Sequence, residues 1–166
     1  MKRHTAQISR RAVPQAQNDM RVAHRIERVH DARGVTFYND SKGTNVASTI
    51  KALESFPEPV ILIAGGKGKG QDFAPLAAAA RGRVRNAVLI GVDRDQIRRA
   101  LHGAGVATEY AESMEEAVRL ASRHARIGDV VLLSPACASF DMFQNYEHRG
   151  EVFKDAVRRL FPAGAP

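Results

Sequence analysis

Three short apolar runs constrain this chain more than any other feature: "PVILIAG" at 59–65, "NAVLIG" at 86–91 and "DVVLLSPA" at 129–136. Each is short, lacks polar alternation and opens into a glycine- or serine-bearing stretch. Continuous apolar strands belong in a sheet covered on both faces. The segments between them read as helices. "TNVASTIKALESF" (44–56) places Val46, Ile50 and Leu53 at helical spacing, with Thr44 or Asn45 as N-cap. "DFAPLAAAARGR", "DRDQIRRALHGAG" and "SMEEAVRLASRHA" follow, the last with Ser113 and Glu116 as a capping box. "ATEYA" reads as a short strand, and "FDMFQNYEHRGEVFKDAVRRLF" contains the final helix. Such alternation predicts an α/β fold, with a mostly parallel sheet and helices on both faces. Ahead of it, "HRIERVHDARGVTFYND" (24–40) predicts an N-terminal β-hairpin around Asp31-Ala32-Arg33-Gly34, a candidate antiparallel edge.

The bulk properties remove several function classes. No apolar run approaches the ~20 residues a membrane-spanning helix needs. One cysteine, Cys137, precludes an intrachain disulfide. The first residues, "MKRHTAQISRRAVPQAQND", are basic without an apolar core, unlike a secretory signal, so a reducing cytoplasm is expected. The net charge is +7, and residues 1–34 hold eight Lys/Arg against three acids. Residues 1–18 are expected to be a flexible basic leader and 19–166 the folded domain. Aromatic residues for stacking bases are absent from that leader, so nucleic-acid binding ranks last. The histidines show no metal-ligand spacing, and no metal site is expected.

Ligands in open parallel sheets sit beyond the carboxyl ends of the strands. Three stretches fall there: "NDSKGTN" (39–45), "GGKGKGQDF" (65–73) and "SPACASFDMF" (134–143). All three follow a strand and precede a helix, so they are expected to meet on one rim. "GGKGKGQDF" fits neither the P-loop nor the dinucleotide fingerprint. It offers either an anion cradle with Lys67 or Lys69, or a soluble turn. In "NDSKGTN", Asp40 can accept from a ribose, Lys42 can pair with a phosphate and Thr44 can donate to a carboxylate; the same residues also suit a plain helix cap. Ser139 lacks a nucleophile-elbow setting, and no catalytic residue is assigned. Cys137 reads as a small buried hydrophobe.

Taken together, "HRIE…GVTFYNDSKGTN…GGKGKGQDF…LLSPACASFDMFQNYEHRG" resembles the C-terminal domain of the Mur ligases of peptidoglycan synthesis, and within them the D-glutamate-adding branch. The likeness runs from about Met20 to Leu160. It implies a Rossmann-like three-layer sandwich that carries the incoming amino acid's site and closes over a nucleotide. Arg25, Asp40 and Lys42 then resemble nucleotide contacts. Thr44, Lys69, Ser139, Phe140 and Tyr146 resemble the D-glutamate site, with Tyr146 where the family usually has phenylalanine. The implied reaction is ATP-dependent amide formation: the substrate UDP-N-acetylmuramoyl-L-alanine is phosphorylated on its carboxylate and the D-glutamate amine displaces phosphate, with ATP and Mg2+ used by the complete enzyme. These 166 residues contain no P-loop, so the chain alone is expected to be catalytically incomplete. The alternative is a non-catalytic module that binds D-glutamate or nucleotide, or docks on a separate P-loop ATPase.

Overall fold

The computed structural model describes residues 23–164, so the expected leader over 1–18 lies outside the described residues. Eleven elements follow one another: β1 (Glu27–Ala32), β2 (Val35–Asn39), α1 (Val46–Glu54), β3 (Val60–Gly65), α2 (Ala74–Ala80), β4 (Val84–Ile90), α3 (Arg94–Gly103), β5 (Ala107–Tyr110), α4 (Met114–His124), β6 (Val130–Leu133) and α5 (Tyr146–Leu160). The six strands form one sheet in the order β1-β2-β6-β3-β4-β5. β1 runs antiparallel to β2, and the other pairings are parallel.

This is the expected Rossmann-like sandwich, and alternation along each central strand builds its two outer layers. Val60, Leu62 and Ala64 join Leu53, Leu76 and Ile97 in a core under α1, α2 and α3. Ile61 and Ile63 point the other way and join Val118, Phe153 and Val157 under α4 and α5. Both faces are therefore dry, which is why the runs show no alternation. Ile61, Leu62 and Ile63 are fully buried, and each contributes about 1.5–3 kcal/mol by leaving water.

The helix ends follow the local chemistry. Asn45, rather than Thr44, caps α1 by accepting from the Ser48 N–H. Ser113 caps α4 by accepting from the Glu116 N–H at 3.1 Å, and the Glu116 carboxylate reaches back to the Glu112 N–H at 3.0 Å. The hairpin turn is tighter than the sequence suggests. β1 continues through Ala32, which pairs with Val35, leaving only Arg33 and Gly34 in the turn.

The topology also fixes where a ligand can sit. From β3 the chain steps to β4 and β5 on one side, then returns to β6 on the other. Such a reversal opens a crevice at the carboxyl ends. The ends of β2, β6 and β3 are neighbours there, and they carry the three stretches singled out above.

Candidate functional site

The three loops are tied to one another by direct bonds. The Asp40 N–H donates to Leu133 O at 2.7 Å, and the Gly65 N–H to Pro135 O at 2.9 Å. Ala136 N–H donates to Gly43 O at 2.8 Å. Lys67 and Ala138 exchange both backbone bonds at 3.0 Å, an isolated antiparallel bridge beyond the parallel sheet. Close approach explains the first glycines of the loop. At Gly66, with φ +136°, an added Cβ would lie 2.4 Å from the Ala138 carbonyl oxygen.

Gln71 clips all three loops at once. Its side-chain oxygen accepts from the Val46 N–H at 2.9 Å. Its nitrogen donates to Gly68 O at 2.8 Å and to Ala136 O at 2.9 Å. Ahead of it, the Gln71 N–H closes a turn onto Gly68 O at 3.1 Å, and both central residues have positive φ: Lys69 at 54° and Gly70 at 71°. Lysine in this region is strained, and such strain gathers at functional positions. Among the described residues five non-glycine positions have positive φ, and four of them adjoin this rim: His24, Ile26, Lys69 and Ala136.

Polar groups at the rim are left unspent. Arg25, Lys42, Lys67 and Lys69 have no ion-pair partner among the described residues. Ser139 is 2% exposed, in a turn where its carbonyl accepts from the Met142 and Phe143 N–H groups. Thr44 is half-buried just ahead of α1. Phe140, next to Ser139 on the third loop, is 68% exposed and so flanks the rim. Tyr146 opens α5 and meets the His24 ring edge-on at 6.3 Å.

Asp40, anticipated as a ribose acceptor, directly follows β2. It is 4% exposed, and its oxygens accept from the Ile26 N–H at 3.2 Å and the Ser134 hydroxyl at 2.7 Å. Burial raises its pKa to about 6, with the Ser134 and Ile26 bonds opposing that rise. The Lys42 N–H donates to His24 O at 3.0 Å. Asp40 and Lys42 thus bracket the strained residues 24–26 and hold Arg25, which is exposed, at the rim.

Two residues that the sequence reading passed over do much of the binding between loops. Gln71 gives no local signal, because its amide serves partners 25 and 65 residues away. Arg149 does leave one: it shares a helical face with buried Phe153, Ala156 and Val157, where an arginine is out of place. Its guanidinium is fully buried and reaches Ser41 and Cys137. Burial lowers its pKa to about 10, so it stays charged at neutral pH. Cys137 is itself fully buried, and burial pushes its thiol to about 12, as suits an inert packing residue.

A switch-point rim with unpaired cations and an unspent hydroxyl belongs to an α/β domain whose rim has the chemistry to receive an anion. The chain belongs to the Mur ligase family: residues 24–137 match the family described as Mur ligase, glutamate ligase domain. Relatives include the UDP-N-acetylmuramoylalanine–D-glutamate ligases of Nitrosospira multiformis, 54% identical over 86% of this chain, and Aromatoleum aromaticum, 57% identical over 82% of it. The chain spans about 30% of the length of these curated relatives. Among solved structures, a murein peptide ligase from Psychrobacter arcticus aligns with a TM-score of 0.59 at 14% identity, covering 82% of this chain and 29% of that one. The UDP-N-acetylmuramate–alanine ligase of Thermotoga maritima aligns with a TM-score of 0.57 at 15% identity, covering 84% and 31%. At such identities they support the fold alone. No helix among the described residues is long and apolar enough to cross a membrane.

Proposed function

We propose that this chain supplies the D-glutamate site and the nucleotide-facing cations of an ATP-dependent ligase that adds D-glutamate to UDP-N-acetylmuramoyl-L-alanine in the cytoplasm. The observation that carries the reading is the clip through Gln71, which fixes the loops of Thr44, Lys69 and Ser139 against one another. The names of the relatives point to the same amino acid. Lys69 pairs with one substrate carboxylate, Ser139 and Thr44 hydrogen-bond the other polar groups, and Phe140 and Tyr146 flank the carbon chain. Arg25 and Lys42 face the nucleotide phosphates. Asp40 serves the nucleotide indirectly, by fixing the backbone that carries Arg25.

In this reading the rim acts by positioning and charge. It holds the D-glutamate amine in line with an acyl phosphate and offers cations where phosphate leaves. ATP with its Mg2+ supplies the activating phosphoryl group, and Arg25 and Lys42 are the residues of this chain that would hold its phosphates. The P-loop for that step lies outside these 166 residues. Phosphate release from ATP is therefore expected only when the UDP-substrate, D-glutamate and the remaining portion of a relative, such as the Nitrosospira enzyme, are supplied with this chain. Turnover by the chain alone would overturn the division of labour.

A further inference from the structure

We propose that Arg149 is a positioning residue for the amino-acid site: its guanidinium fork sets the spacing between the 40–45 and 134–143 loops, and so between Thr44 and Ser139. The inference rests on the reading of those two residues as one pocket.

Arg149 has no carboxylate within ion-pair distance among the described residues, although it is fully buried. A buried cation is costly unless its N–H groups find acceptors. Here every acceptor belongs to a rim loop. Nε donates to Ser41 Oγ at 2.9 Å, one terminal nitrogen to Ser41 O at 2.6 Å and the other to Cys137 O at 2.9 Å. The Ser41 hydroxyl in turn donates to Tyr146 O at 2.7 Å, which ties the first loop to the start of α5. Ser41 precedes Lys42, and Cys137 stands two residues before Ser139. The entry point of the fork is fixed too. At Gly150 an added Cβ would lie 2.1 Å from His24 Nδ1, so α5 packs at contact against the segment that bears Arg25.

A packing role alone would be met by an apolar side chain continuing the Phe153 face. A charge role alone would be met by lysine. Only a planar fork reaches two groups of Ser41 and a carbonyl of the other loop together. The structure therefore separates three roles that substitution can tell apart.

The test compares Arg149→Lys and Arg149→Met in the 166-residue chain by amide hydrogen exchange and by titration with D-glutamate. Exchange of the Gly43, Ala136 and Ala138 N–H groups, which bond within and between the loops, should rise about tenfold in both variants, with Leu62 and Ile63 in β3 unchanged. D-glutamate affinity should fall about tenfold in both, without rescue by lysine. Loop exchange and affinity restored by lysine would overturn the fork in favour of charge. Loop amides as protected in both variants as in the parent would also overturn it. Should Arg149→Met fail to fold, Arg149→Lys against the parent decides. If the parent itself binds no D-glutamate, that result counts against the D-glutamate reading, and the exchange pattern alone decides the brace.

Discussion

The chain uses one local device twice, and the two copies differ in what they serve. At the hairpin, Arg33 and Gly34 have φ of 54° and 78°; at the rim, Lys69 and Gly70 have 54° and 71°. A charged residue followed by glycine, both left-handed, is the backbone of a type I′ turn. In the hairpin that shape is explained by its strands, since Ala32 pairs with Val35 on either side. At the rim no strand pair flanks the turn. The same strain is held instead by Gln71, which reaches the other two loops. Equal local sequence thus gives a connector where strands demand it and a presented lysine where nothing but the site does.

The clip carries the largest load at the rim. Gln71→Leu deletes three side-chain hydrogen bonds and should cost about 3 kcal/mol, read as a melting temperature lower by roughly 6–12 °C. It should also abolish D-glutamate binding, whereas no side chain of the hairpin turn carries such a load. The next effect is electrostatic. Asp40 binds its proton more tightly folded than unfolded, because burial raises its pKa to about 6. Its contribution is therefore fully present below its unfolded pKa and lost as pH rises through 6, by about 3 kcal/mol. Denaturant titrations at several pH values should show that slope in the parent and a flatter one in Asp40→Asn.

Smaller changes sharpen the contrast between the turns. Alanine at Gly34 or Gly70 must adopt a positive φ, at about 1 kcal/mol each. Gly34→Ala should cost more, about 2 kcal/mol, because its Cβ would meet the Ile127 side chain at 2.9 Å while Gly70 has open space around it. Only Gly70→Ala should weaken D-glutamate binding. Smallest is the relief of strain by asparagine, which tolerates left-handed backbone. Arg33→Asn and Lys69→Asn should each stabilise the fold by about 0.5 kcal/mol in thermal melts. Arg33→Asn should leave ligand binding unchanged, and Lys69→Asn should lose it.

The fold was legible because its information is local. "VILIAG" and "VVLL" declare buried strands by composition, and Asn45, Ser113 and the glycines declare the ends of elements. The convergence of three loops was legible as well, since parallel topology sends their strand ends to one rim. What holds the loops together was not. Gln71 bonds residues 25 and 65 positions away and Arg149 bonds Ser41 108 positions away, and no periodicity reports such pairings. Asp40 was legible as a polar strand end but not as a bracket, because only the fold brings Ser134 and Ile26 against it. The hairpin turn was read as four residues because Asp31 and Gly34 both favour turns. Pairing of Ala32 with Val35 reduces it to two.

If the clipped rim is a preformed site for D-glutamate, the chain should bind this amino acid by itself. An NMR titration of this chain with D-glutamate, with L-glutamate as control, tests it most directly. A preformed site should give amide shifts with the D-enantiomer only, centred on Thr44, Lys69, Ser139 and Tyr146. Shifts with neither enantiomer, or equal shifts with both, would contradict it.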